Sequence, residues 1–278
     1  VKEVALFVIA LVMTAVIIPW GSHVMAADSA AGQSFDIAIN NGMVIDPISG
    51  FQGLANLGIK DGKITAITSI SQKLIGAKVI DATGLIVAPG FINIHGHSNS
   101  TQLPDQLYLR DGITTEISGN CGQTTLGKYV KNPLPFSEAT KNARSYSEVT
   151  GIWEKEGLYM NVASYVGHNT LRETVGVPNR RTPATSEQLA RMQDMLRKDM
   201  KDGSLGVSFG PYYGPGATYA EMLALAKVAS EYGGASSSHL REGFTAKGAA
   251  DSVNEGISIA RDAKIPFLLS HVSACPAF

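Results

Sequence analysis

From Pro89 onward, short apolar runs bounded by glycine or threonine alternate with longer stretches of helical periodicity. That alternation restricts the chain to a sheet whose neighbouring strands run parallel, because a parallel crossover needs a helix-length connection. Residues 85–94, 113–118, 161–166, 205–209, 235–238 and 267–270 read as strands, and residues 186–201, 219–232 and 246–263 as helices. The second helix carries Met222, Leu225, Ala226 and Ala229 at the spacing of one helix face, and Gly233-Gly234 stops it. Ligand-type residues follow the strands, and barrels collect their active sites at the carboxyl ends of strands. The leading architecture is therefore α/β, a (β/α)8-type barrel, with an open doubly wound sheet as the alternative. Six barrel strands are found where a closed barrel has eight.

The chain ahead of that region has a different character. Residues 35–84 read as a small β unit, an incomplete β-sandwich: Phe35-Asp-Ile-Ala-Ile39 alternates, and Asn41-Gly42 and Asp61-Gly62 are dipeptides suited to tight hairpin turns. Residues 57–59 and 64–67 flank the second turn, and residues 78–82 form another strand. Residues 1–26 read as a signal peptide. Lys2 precedes an apolar run over 4–18, and Val24-Met25-Ala26 provides small residues at a cleavage site. The run is shorter than the ~20 residues a spanning helix needs, so the expectation is an exported protein, periplasmic or secreted, with no stable membrane partner after cleavage. A formal net charge of -1 makes no case for a nucleic-acid partner.

Chemistry gathers where the barrel strands end. The first strand gives His95 and His97, whose i, i+2 spacing aims two imidazoles the same way. The second gives Gly119-Asn120-Cys121-Gly122, the third Gly167-His168-Asn169, the fifth His239 with Arg241 and Glu242, and the sixth His271. Of six histidines only His23, in the signal segment, falls elsewhere. Imidazole and thiolate donors favour zinc. Cys121, His239 and His271 as three ligands would leave a fourth position open, the arrangement of a catalytic site. Zinc in such a site acidifies water and polarises a carbonyl, which suggests hydrolysis of an amide or ester. Arg241 suits a substrate carboxylate in bidentate fashion, or an ion pair with Glu242 or a neighbour. Tyr212 and Tyr213 line the pocket or pack. His168 reads first as a structural hydrogen-bonding group. Cys275 reads as a free thiol if Cys121 binds metal, and as a disulfide partner otherwise.

These residues carry a resemblance. Ala88-Pro-Gly-Phe-Ile-Asn-Ile-His-Gly-His97, Gly112-Ile-Thr-Thr, Gly119-Asn-Cys-Gly122, Val166-Gly-His-Asn-Thr-Leu-Arg172, Gly203-Ser-Leu-Gly-Val-Ser, Tyr232-Gly-Gly, Ser238-His-Leu-Arg-Glu242 and Ser270-His271 follow in order. From about residue 35 to the end, the chain resembles the N-acyl-D-amino-acid deacylases (D-aminoacylases) of the amidohydrolase superfamily. The resemblance implies a small amino-terminal β unit and, over residues 85–278, a metal-dependent (β/α)8-type barrel truncated after about six strands. It implies zinc-dependent hydrolysis of a linear amide, with an N-acyl-D-amino acid as the small-molecule partner and a D-amino acid and a carboxylate as products. It gives the tight zinc to Cys121, His239 and His271, and a second, weaker metal position to His95 and His97. The general-base aspartate belongs to the eighth strand, so it is expected beyond Phe278 and no catalytic residue is expected within the chain. Ser98-Asn99 stand where relatives often show acidic residues, which bears on the weaker position. Two rival outcomes are a fragment that is inactive or merely binds zinc, and an amidohydrolase acting on a cyclic amide or isopeptide.

Overall fold

The computed structural model describes residues 32–97, 107–123, 143 and 145–272. The expected signal segment, Ser98-Asn99 and Cys275 lie outside these residues. The chain divides into two compact units, one up to Phe91 and one from Ile92 onward.

The first unit is a mixed five-stranded sheet of β1 (Ser34–Asp46), β2 (Phe51–Lys60), β3 (Lys63–Ser69), β4 (Ile75–Asp81) and β5 (Ile86–Val87), in the order β3-β2-β1-β4 with β5 also on β1. β1 pairs antiparallel to β2 and parallel to β4 and β5. Asp61 and Gly62 both take positive φ, 49° and 70°, and join Lys60 to its partner Lys63 in the expected two-residue hairpin. Asn41-Gly42 does something else. Asn41 also takes positive φ, at 65°, but it lies inside β1, where the register against β2 shifts between Ile39 and Gly42. The dipeptide makes a β-bulge rather than a hairpin. The bulge's spare N–H, on Asn41, donates to Asn56 Oδ1 at 2.8 Å, so the buried Asn56 stabilises the irregularity.

The second unit is a curled, incompletely closed six-stranded sheet in the order β11-β10-β9-β8-β7-β6, flanked by helices. Its strands are β6 (Phe91–Asn93), β7 (Ile113–Ser118), β8 (Asn161–Gly167), β9 (Gly206–Phe209), β10 (Ala235–His239) and β11 (Phe267–Ser270). Its helices are α1 (Leu107–Arg110), α2 (Tyr146–Glu156), α3 (His168–Thr174), α4 (Ser186–Lys201), α5 (Tyr219–Glu231) and α6 (Ala246–Ala263). The pairs β7–β8, β8–β9, β9–β10 and β10–β11 are parallel, as strand–helix alternation requires. The run over 85–94 is not one buried strand. Ala88-Pro89-Gly90 interrupts it, leaving β5 and β6, and Phe91 is 66% exposed. Proline lacks the N–H that a ladder needs, and β6 lies at the end of the strand order.

The core lies between sheet and helices. Val166, Val207 and Phe209 from the strands pack with Leu171, Met192, Leu196, Met222, Leu225 and Ile259 from α3 to α6. Three helices begin on a threonine whose hydroxyl accepts from a first-turn N–H: Thr185 for α4, Thr218 for α5 and Thr245 for α6. A cluster of ionisable side chains is sealed inside. His168 Nε2 stands 2.7 Å from Glu221 Oε1, Arg172 Nη1 donates to the same oxygen, and all three side chains are almost wholly buried. Burial pushes the Glu221 carboxyl up, but His168 and Arg172 outweigh it and hold the carboxyl well below its ordinary range.

Candidate metal centre

The ligand-type side chains rise from strand ends, as parallel connectivity dictates. β10 ends in His239, β11 is followed by His271, and His95 and His97 lie just past β6. Cys121 stands in the four-residue turn after β7. Gly119, Cys121 and Gly122 there take φ of 74°, 58° and 77°. The two glycines are required by close approach. A Cβ on Gly119 would stand 2.3 Å from Tyr165 O, and one on Gly122 would stand 2.7 Å from Gly210 N. Left-handed φ is unusual for a cysteine.

Four imidazoles and the thiol come together. Cys121 Sγ lies 3.6 Å from His239 Nδ1, 3.3 Å from His271 Nε2 and 3.5 Å from His95 Nε2. His95 Nε2 lies 3.1 Å from His97 Nε2. Two overlapping donor groups result, His95–His97–Cys121 and Cys121–His239–His271, with Cys121 in both and all donor atoms of each within 4.8 Å of one another. Tetrahedral zinc, with bonds of about 2.3 Å to sulfur and about 2.0 Å to nitrogen, spaces its sulfur and nitrogen ligands about 3.5 Å apart. The observed separations fit that requirement.

Electrostatics agree with the geometry. Burial pushes the Cys121 thiol up to about 11. Burial first, and then the neighbouring imidazoles, lower His95 and His239 to about 4 and push His97 down as well. These three imidazoles are therefore neutral at pH 7, with a ring nitrogen able to bind a cation. A doubly charged ion would favour the thiolate that burial disfavours.

Polar side chains surround this cluster. His95 Nδ1 is 3.0 Å from Ser270 Oγ. Asn120, fully buried, donates to Ile117 O at 2.9 Å and accepts from Ser237 Oγ at 3.0 Å. Asn169 donates its backbone N–H to Gly122 O and its side-chain amide to Gly210 O. The roles of Ser208, Ser237 and Ser270 are not evident in the sequence. The one signal was the hydroxyl-rich Ala235-Ser-Ser-Ser-His239, odd for a buried strand.

The remaining candidates fall in different places. Tyr213 and Tyr212 stand against His239, with ring centroids 4.9 and 5.3 Å away, and Phe244 extends that aromatic wall from Tyr212. Arg241 points to Glu255, which it meets through Nε and Nη2, and to the carbonyls of Pro215 and Ala217. Its fork therefore holds the loop that carries the two tyrosines. His168 faces Glu221 and belongs to neither donor group.

A curled α/β sheet with thiol and imidazole donors at its strand ends is the architecture of a metal-dependent amidohydrolase. Residues 78–267 match the Amidohydrolase family, and the chain belongs to the amidohydrolase superfamily, close to its D-aminoacylase and N-acyl-D-amino-acid deacylase branch. It is 30% identical over 249 residues to the D-aminoacylase of Alcaligenes xylosoxydans xylosoxydans, covering 86% of this chain and 51% of that protein. The crystal structure of a D-aminoacylase superposes with a TM-score of 0.75 at 26% identity, covering 84% of this chain and 51% of that one. An N-acyl-D-glutamate deacylase from Bordetella bronchiseptica, solved with zinc and a phosphonate mimic of the tetrahedral intermediate, gives a TM-score of 0.73 at 28% identity, with the same coverage of 84% and 51%. The chain thus spans about half the length of the relatives it matches.

Proposed function

We propose that this protein hydrolyses the amide bond of N-acyl-D-amino acids in a zinc-dependent reaction, releasing a D-amino acid and a carboxylate. The observation that carries the reading is the convergence of Cys121 Sγ on His239 Nδ1 and His271 Nε2, 3.6 and 3.3 Å away, in a chain whose relatives include D-aminoacylases. Cys121, His239 and His271 would hold the tight zinc. His95 and His97, which reach the same thiol, would hold a second and weaker ion. Bound zinc supplies a Lewis acid for the acyl carbonyl and acidifies the water that attacks it. Tyr212 and Tyr213 stand against one side of His239 and would give the substrate an aromatic wall. Arg241 serves the pocket by fixing their loop. The two donor groups contain no carboxylate, so the reading leaves proton transfer to a general-base aspartate that is not among them. The amino-terminal sequence pattern supports an exported protein, and among the described residues no helix is long and apolar enough to cross a membrane.

Zinc-loaded protein is to be assayed on N-acetyl-D-amino acids, their L enantiomers and a hydantoin, beside Cys121→Ala. The expected result is free amino acid from the D series alone. The variant should lose its tight zinc and at least ~100-fold in rate, since an ion-activated water is central to such hydrolysis. Turnover of the hydantoin alone, or a Cys121→Ala protein with stoichiometric zinc and full rate, would contradict the assignment.

A further inference from the structure

The turn that presents Cys121 is closed by a side chain from another strand. Ser208 Oγ, on β9, donates to Gly119 O at 2.5 Å and accepts from Gly122 N at 3.1 Å. A tight turn would ordinarily bond its first carbonyl directly to its fourth N–H. Here one hydroxyl is inserted between them, using its single donor and one of its acceptor sites. Ser208 is wholly buried, and its neighbour in register on β10 is Ser237. Ser237 Oγ donates to Asn120 Oδ1, and Asn120 in turn donates to Ile117 O at the end of β7. Both ends of the turn and its second residue are therefore tied to strands β9 and β10. The third residue, Cys121, is left with a left-handed backbone and its sulfur among the imidazoles.

We infer that Ser208, supported by Ser237 through Asn120, is a positioning residue that fixes the Cys121 thiolate for metal. The hydroxyl sets the spacing between Gly119 and Gly122, and that spacing sets where Sγ stands relative to His239 and His271. The two hydrogen bonds of Ser208 Oγ go to the backbone of the turn, at Gly119 and Gly122, and not to a ligand side chain. It acts through the turn, as groups behind a metal's ligands generally do. The inference rests on the proposed metal reading and adds to it a residue of no recognisable ligand type.

The test is a titration of the metal-free protein with Co(II), following the thiolate-to-cobalt charge-transfer band and obtaining affinity by competition with a chelator. Ser208→Ala should bind Co(II) about 10- to 100-fold more weakly than the parent, the usual effect of removing a group behind a ligand. Its charge-transfer band should be shifted or weakened. Ser236→Ala is the matched control, since Ser236 is equally buried in β10 and its hydroxyl has no hydrogen-bond partner among the described residues. It should bind as the parent does. Should Ser208→Ala fail to fold by circular dichroism, Ser237→Ala decides, with roughly tenfold weaker binding expected. Parent-like affinity and band in the decisive variant, or an equal loss in Ser236→Ala, would overturn the inference. A parent protein that binds no Co(II) would overturn the metal reading and this inference together; a parent that binds while Ser208→Ala matches it would overturn this inference alone.

Discussion

Cys121 is the residue on which the site turns, and its chemistry makes a measurable demand. In the metal-free chain burial holds its thiol at about 11, so it is fully protonated at neutral pH. His95 and His239, at about 4, have already lost their protons. Metal binding must then displace the thiol proton. Calorimetric titration at pH 7.5 in two buffers of different ionisation enthalpy should show at least one proton released per ion bound. Release of none would mean that the thiol is not a ligand. At this scale much was legible in the sequence. Histidines at strand ends are informative because parallel connectivity brings those ends to one rim; His95 and His97 lie past the end of β6 rather than on extended strand, and their Nε2 atoms meet at 3.1 Å. Ser208 and Ser237 were not legible. Their partners lie 86 to 117 positions away in sequence, and a serine gives no periodic signal of what it will meet.

At the scale of elements, what was readable follows capping and length. α4, α5 and α6 each combine a capping threonine with at least three turns of apolar spacing. α3 has seven residues and starts at Gly167-His168 with no side-chain cap, so the sequence offers no start signal. Asn41-Gly42 announces positive φ, yet hairpin and bulge both use it, and only the pairing of β1 with β2 decides between them. One contact between elements sets a pH dependence. Asp199, on α4, accepts the Tyr146 N–H at the start of α2 and is almost wholly buried. Burial raises its carboxyl to about 6, above the ordinary 3.8. The native state therefore binds this proton more tightly than the unfolded chain. The associated stability is complete below about pH 4, falls as pH rises towards 6, and is gone above that. Asp199→Asn keeps an acceptor for Tyr146 and removes the buried charge. In urea unfolding, its advantage over the parent should grow from near zero at pH 4 to about 1–3 kcal/mol at pH 8. A difference that is constant with pH, or that shrinks as pH rises, would contradict this account.

At the scale of the whole molecule, the six-stranded sheet curls without closing, and residues such as Ile94, Ile117, Tyr165 and Leu268 line an apolar hollow of about 360 Å³. Strand–helix alternation was sufficient to read this architecture, because the order of elements alone implies parallel neighbours. It was not sufficient to place the break at Ala88-Pro89-Gly90, since a continuous apolar run looks the same whether it forms one strand or two. The account of function depends on a single geometric claim, that sulfur and nitrogen donors from three separate strand ends share one ion. The most direct test is crystallographic, with anomalous data collected on either side of the zinc absorption edge from zinc-loaded protein. The account predicts an anomalous peak within about 2.3 Å of Cys121 Sγ and about 2.0 Å of His239 Nδ1 and His271 Nε2. Zinc at another place, or no peak among these residues, would contradict it.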